Sequence, residues 1–246
     1  MQPALEWQIA EVTRITTETP QTKTFTLALP QRLAHRPGQH YDVRLTAPDG
    51  YRTERSYSVA SEPERAGEID LTVERIEGGE VSPYLHDVVV PGDRIEVRGP
   101  IGGYFVWDVS LGGPLLLVGG GSGVVPLMAM LRHRAARQSQ VPVRLLYSAR
   151  SADDIIYRAE LEKLASGDGN VKVAFTFTRH APPGWTGYRR RIDAEMLSEV
   201  VQPLGTGVRS YVCGPTLLVE SVSSALVAME LPAGRIRTER FGPTGP

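Results

Sequence analysis

Two rhythms of apolar positions divide this chain. Over residues 24–29, 41–45, 69–76 and 94–98, apolar and polar side chains alternate, the period of a strand with one face on a core. Turn-forming residues bound these segments at Pro37-Gly38, Pro48-Asp49-Gly50, Gly78-Gly79 and Pro91-Gly92. Together they predict an antiparallel β-barrel or sandwich. One short helix is predicted to interrupt it, with Ser82 as the capping residue and Pro83 at the first helical position.

From Leu111 onward the rhythm changes. Residues 115–118 are a continuous apolar run, as expected for a strand covered on both faces. A glycine-rich turn follows, and then Val124, Leu127, Met128 and Leu131 fall at helical spacing. Residues 143–147 predict a second strand. The next helix is predicted through Ile155, Ile156, Leu161 and Leu164, with Asp153 and Asp154 near its positive end. Strands at 171–177, 211–213 and 235–241 alternate with helices from Asp193 and over 216–230. Alternating strands and helices predict an α/β domain with a parallel sheet. The expected division is therefore residues 1–110 and 111–246, with the break inside 110–114.

Composition narrows the function. The length of 246 residues has room for both units. Lys and Arg number 27 against 28 Asp and Glu, so no overall charge argues for nucleic acid or an anionic membrane as partner. The single cysteine, Cys213, excludes an internal disulfide and any four-cysteine iron–sulfur or zinc site on this chain alone. The five histidines are scattered without ligand spacing, so no metal site is expected. The beginning shows no basic leader, and no run of about 18 apolar residues occurs. The expectation is a cytoplasmic protein without a membrane span.

Three segments carry candidate chemistry. Residues 119–126, Gly-Gly-Gly-Ser-Gly-Val-Val-Pro, lie between a buried strand and a helix, where free backbone amides attract a diphosphate. They depart from the G-x-G-x-x-G fingerprint, and a tight turn without ligand is the plainer alternative. Residues 55–58, Arg-Ser-Tyr-Ser, offer a guanidinium for phosphate and a ring for stacking, or merely a strand with one exposed arginine. Cys213-Gly214-Pro215 ends a strand at the sheet edge where α/β proteins bind ligands, although a buried cysteine is commonly only a small hydrophobe. No histidine stands nearby in sequence to make Cys213 a covalent nucleophile.

Taken in order, these segments, together with residues 78–82 (Gly-Gly-Glu-Val-Ser) and 99–102 (Gly-Pro-Ile-Gly), resemble the ferredoxin–NADP⁺ reductase superfamily over nearly the whole chain. The resemblance implies a flavin on the barrel. Arg55 would bind its pyrophosphate, Tyr57 would pack along the ring or ribityl chain, and Ser58 would hydrogen-bond near N5. Val81 and Ser82 would serve the same phosphates, a pyrophosphate cradle that favours FAD over FMN. Gly120, Gly121, Ser122 and Gly123 would take a nicotinamide dinucleotide, with Gly214 and Pro215 beside it and Cys213 near the nicotinamide C4. Glu239 and Phe241 correspond to the terminal segment that reaches back to the flavin in many relatives. Ser122 stands where relatives commonly carry Thr, which keeps the hydroxyl. Many relatives append a [2Fe–2S] domain, for which this chain lacks the cysteines.

For the choice of nicotinamide, the end of the second parallel strand offers Ser148 and Arg150, and Arg179 follows the third. Cations and hydroxyls suit a 2′-phosphate, so NADPH is favoured, with NADH possible because Asp153 and Asp154 follow closely. The implied activity is hydride transfer from NADPH to FAD, then single electrons to a separate protein such as a ferredoxin or an oxygenase component. A reductase of free flavin, quinone or another small molecule is the enzymatic alternative, and a non-catalytic nucleotide-binding subunit or sensor the alternative of another class.

Overall fold

The computed structural model describes residues 5–31, 33–167, 169–205 and 207–242. Among these, six antiparallel strands form the first sheet: β1 (Gln8–Thr19), β2 (Thr22–Ala28), β3 (His40–Thr46), β4 (Arg52–Ser58), β5 (Glu68–Glu74) and β6 (Arg94–Ile101). Their spatial order is β4-β3-β6-β1-β2-β5, and a bridge between Val59 and Leu71 ties the two ends of that order together. The sheet thus rolls into a barrel around Val12, Phe25, Leu27, Tyr41, Val43, Leu71 and Val97. A short helix, α1 (Val81–Asp87), follows β5.

Within this first part, two details differ from the pattern-based expectation. The long β1 was not anticipated, because register shifts between Val12 and Arg14 and between Thr17 and Thr19 break its alternation, and threonines replace apolar residues along it. Helix α1 begins at Val81, so Ser82 lies inside the first turn and does not cap it. The Ser82 hydroxyl instead accepts the Ile76 amide at 3.0 Å, folding the preceding turn back onto the helix.

The second sheet is wholly parallel: β7 (Leu115–Gly120), β8 (Val143–Ser151), β9 (Val171–His180), β10 (Arg209–Pro215) and β11 (Ile236–Phe241), in the order β11-β10-β7-β8-β9. Four longer helices flank it: α2 (Val124–Ala136), α3 (Arg158–Gly167), α4 (Ala194–Val201) and α5 (Thr216–Ala228). Leu115 and Leu117 face a core with α2 and α3, whereas Leu116 and Val118 face a second core with α4 and α5. Burial on both faces is the reason β7 reads as an unbroken apolar run. Asp193 caps α4 as its position suggests, accepting the Met196 amide at 2.9 Å.

Helix α3 is shorter than expected. Tyr157 adopts φ of 59°, which separates Ile155 and Ile156 from the helix, and Asp153 and Asp154 lie in a separate 3-10 turn. Both isoleucines still serve the core.

The two sheets meet over a shared set of contacts. Ala60, Phe105 and Trp107 join the core around α2. Arg132 donates to the Ala60 carbonyl at 2.8 Å, Tyr211 donates to the Val106 carbonyl at 2.9 Å, and the Tyr157 hydroxyl donates to Thr72. His133 on α2 sits 2.9 Å from Glu64.

Candidate functional site

The order of the second sheet places a topological switch between β7 and β10: the connections from β7 onward cover one face, and those around β10 the other. The carboxyl ends of the strands at such a switch, here called the β7–β10 crevice, are the general ligand position of such sheets. β7 runs directly into a 3-10 turn over Gly121–Gly123 that starts α2. Gly121 takes φ of 54°, and a Cβ on Gly123 would stand 2.1 Å from the Cys213 carbonyl oxygen. The glycines are therefore required by the close approach of the loop to β10.

The parallel register sets Cys213 between Gly119 and Glu239, and Pro215 beside Phe241. Gly214 lies against Gly120. Cys213 is 3% exposed, and burial, reinforced by the negative charge of Glu239, pushes its thiol well above the ordinary range. It is held as a neutral thiol, which fits a packing and polarising group rather than a thiolate nucleophile. Burial also pushes the Glu239 carboxyl up to about 7, and its Oε2 is buried without a hydrogen-bond partner. A buried acid left unsatisfied at a strand end is a polar group turned toward a ligand position. Phe241, at the end of β11, is 36% exposed.

Further along the same edge, Ser148 pairs with Thr176 on β9 and neighbours Gly120 on β7. Beyond it the β8–β9 ladder is irregular: Ala149 faces Phe177 and Ser151 faces His180, so Arg150 stands opposite Thr178 and Arg179. Arg150 and Arg179 are exposed, and neither is in an ion pair among the described residues. The nearby Asp154 is engaged by the Ser151 hydroxyl at 2.6 Å.

On the barrel, β4 is an edge strand paired only with β3, Arg55 opposite Val43, Tyr57 opposite Tyr41 and Ser58 opposite His40. Val43 and Tyr41 point into the core, so Arg55 and Tyr57 share that face but stand at its rim. Arg55 is exposed, and among the described residues its guanidinium donates to the neighbouring Glu54 carbonyl alone, at 2.7 Å. Tyr57 is half-buried against the barrel core, and that burial pushes its hydroxyl up to about 12. Helix α1 packs beside β4, with Val81 and Ser82 buried at its start. A cavity of about 1230 Å³ opens between the β3–β4 turn, α1 and the start of β6, lined among others by Tyr51, Arg52, Thr53, Glu80, Tyr84 and Arg94. An uncommitted guanidinium, a half-buried ring and an adjoining groove fit a flat ring carrying a phosphate tail.

Apart from Ser148, Arg150 and Arg179 at the ends of β8 and β9, the residues singled out from sequence thus gather in two places and not one. Gly120 to Gly123, Cys213, Gly214, Pro215, Glu239 and Phe241 line the β7–β10 crevice; Arg55, Tyr57, Ser58, Val81 and Ser82 line the barrel rim. One hydrogen bond joins the two sheets at the crevice: the Ser122 hydroxyl donates to Glu74 at the end of β5, at 2.7 Å. Glu74 escaped the sequence reading because it simply ends an alternating strand, and no local motif marks it. Among the described residues no cluster of His, Cys, Asp and Glu could hold a metal ion, and no helix is long and apolar enough to cross a membrane.

The family model for an oxidoreductase FAD-binding domain matches residues 9–106, and that for an oxidoreductase NAD-binding domain matches 117–224. The chain is 34% identical over 209 residues to ferredoxin–NADP reductase B of Sorangium cellulosum, covering 83% of this chain and 84% of that protein. This chain belongs to the ferredoxin–NADP⁺ reductase superfamily. As a member, it carries an oxidoreductase FAD-binding domain and an oxidoreductase NAD-binding domain in the two-domain barrel and α/β fold. It is also 33% identical over 236 residues to the glycine betaine monooxygenase reductase subunit of Pseudomonas aeruginosa, but spans only 64% of that protein's length. Among solved structures, the FAD/NAD-binding domain of nitric oxide dioxygenase from Vibrio cholerae superimposes with a TM-score of 0.85 at 26% identity, covering 96% of this chain and 99% of that one. A ferredoxin–NADP⁺ reductase from Neisseria gonorrhoeae with bound FAD and NADP shares the fold, with a TM-score of 0.80 at 21% identity over 95% of this chain and 98% of that one.

Proposed function

We propose that this member of the superfamily draws electrons from NADPH through FAD and delivers them singly to a separate protein, a ferredoxin or an oxygenase component. The observation that carries the reading is the presence in one chain of two unlike cradles, the Arg55–Tyr57 rim on the first sheet and the glycine–cysteine loop on the second, with the Ser122–Glu74 hydrogen bond tying the loop to the first sheet. A bound flavin would supply the conversion between a two-electron hydride and single electrons. The chain's own contribution is placement. Arg55 holds the pyrophosphate with a fork of donors, assisted by the start of α1 at Val81 and Ser82. Tyr57 would pack on the ring system of a bound flavin, and Ser58 would offer its hydroxyl to it. The cavity beside α1 supports FAD over FMN, because it leaves room for an adenosine. The loop over Gly120, Gly121, Ser122 and Gly123, with Gly214 and Pro215, holds the nicotinamide dinucleotide. Cys213 and Glu239 shape the pocket of the nicotinamide, and Phe241 closes its outer side.

The preference for NADPH rests on Ser148, Arg150 and Arg179, two uncommitted guanidiniums at the end of β8 and β9 with a hydroxyl next to them. The domain division at 1–110 and 111–246 belongs to the same proposal, with one sheet in each part. The Pseudomonas and Sorangium relatives, named as a monooxygenase reductase subunit and a ferredoxin–NADP reductase, support a protein acceptor. Anaerobic titration of the purified protein with NADPH and then NADH, read from the flavin spectrum, tests the donor; a panel of iron–sulfur proteins, free flavin and quinone tests the acceptor. In the same assay Arg150→Ala is expected to raise KM for NADPH about tenfold and leave KM for NADH within twofold. Equal changes for both nucleotides would defeat the 2′-phosphate assignment.

A further inference from the structure

The Ser122–Glu74 contact is electrostatically out of place. Residues 120–123 are read above as the cradle of a diphosphate, and the inference here rests on that reading. Yet the Glu74 carboxylate accepts the one side-chain hydroxyl of this loop at 2.7 Å, and its Oε2 would stand 3.9 Å from a Cβ on Gly121. No Lys or Arg is ion-paired with Glu74 among the described residues; its neighbour Arg75 is turned to Asp87 at 2.9 Å. Burial pushes the Tyr147 hydroxyl up, and the negative charge of Glu74 adds a smaller push in the same direction. A carboxylate lacking a counter-ion therefore borders the place where a second anion must sit, and like charges at such distances repel even in water.

We propose that Glu74 is a built-in competitor for the nucleotide loop. With the loop free, its carboxylate occupies the Ser122 hydroxyl and fixes the 3-10 turn. When a dinucleotide enters, the diphosphate takes over that hydroxyl and the surrounding amides, and Glu74 gives up its hydrogen bond while remaining close. The first sheet thereby weakens nucleotide binding on the second and hastens release of the oxidised nucleotide. Glu74 is a positioning residue of the proposed reaction: it acts through Ser122 and through charge, and does not touch the reacting carbon. No bond is made or broken, and the exchange is one hydrogen-bond acceptor for another.

The test is a charge series in the flavin-loaded protein, Glu74→Gln and Glu74→Lys, with the dissociation constant of NADP⁺ read from the perturbed flavin spectrum at low and high salt. Adenosine 2′-monophosphate, which lacks the diphosphate, serves as the second probe. Affinity for NADP⁺ is expected to rise about three- to tenfold in Glu74→Gln and further in Glu74→Lys, with the gain shrinking as salt screens it. Binding of adenosine 2′-monophosphate should not change. A merely structural role predicts the opposite order, because lysine cannot accept the Ser122 hydrogen bond; equal or weaker NADP⁺ binding in the series overturns the proposal. Ser122→Asp separates the two readings. It should abolish tight NADP⁺ binding if the loop holds the diphosphate, so an unaffected Ser122→Asp protein defeats the loop assignment itself. A weakened Ser122→Asp protein alongside a flat Glu74 series defeats only the competitor.

Discussion

The two proposed cradles of this molecule are built on opposite principles. On the barrel rim, the recognising groups are side chains on an edge strand: Arg55 is exposed and makes no ion pair among the described residues, so the fold does not need it. At the β7–β10 crevice, recognition comes from backbone brought close by the absence of side chains, and the same closeness lets α2 pack against the sheet. In the first case binding is added to a finished fold; in the second, fold and binding use the same atoms. Substitutions should accordingly separate stability from ligand affinity on the rim and fail to separate them in the crevice.

The largest effect is expected in the crevice. In Gly123→Ala the new methyl would meet the Cys213 carbonyl oxygen at 2.1 Å and the Gly214 amide nitrogen at 2.8 Å, both backbone atoms that cannot swing aside. Destabilisation of about 3 kcal/mol, read from urea denaturation, should come together with loss of nucleotide-dependent flavin reduction. A variant of native stability that merely binds nucleotide poorly would break the contrast. Arg55→Ala should do the reverse. Flavin affinity is expected to fall by about 1.5–3 kcal/mol, the worth of a charge-assisted hydrogen bond, seen as flavin lost on desalting. The flavin-free protein should keep its stability to within about 0.5 kcal/mol.

The smallest effect sharpens the comparison through pH. Glu239 keeps its proton in the folded chain up to about 7, whereas the unfolded carboxyl releases it near 4.5. Between those values the folded state binds the extra proton, so its stability falls as pH rises through that window and stays lower above it. Glu239→Gln removes this dependence. At pH 8 the variant should be more stable than wild type by about 1 kcal/mol, allowing for solvent at the strand end, and at pH 4 the two should match. A stability difference of the same size at both pH values would sink the burial argument for Glu239.

Much of this architecture is readable from residue order, and the failures have physical causes. The continuous apolar run of β7 and the alternation of β6 are direct imprints of two-faced and one-faced burial, whereas β5 alternates in sequence although its polar face, Asp70 and Thr72, is buried as well. β1 is hidden because its irregular register shifts the phase of its inward positions. The start of α3 is misplaced because Ile155 and Ile156 serve the core from an extended segment that ends at the left-handed Tyr157, and periodicity alone cannot tell that from a helical face. The glycine loop and Cys213-Gly214-Pro215 are legible as motifs, since their chemistry is local. Glu74 is not, because its significance comes from a hydroxyl 48 positions away that only the folded chain brings near.

The shared core between the sheets carries a consequence for how the chain comes apart. Trp107 is fully shielded, and its indole nitrogen donates to the Gly112 carbonyl at 3.0 Å, while Phe105 lies edge-on to the Tyr211 ring of β10. Severing the polypeptide near residue 110 would strand these rings in water on one fragment and leave a matching hollow on the other. Melting should therefore be a single cooperative event, with indole fluorescence and helical dichroism lost at one temperature, and neither fragment should refold to its parent shape alone.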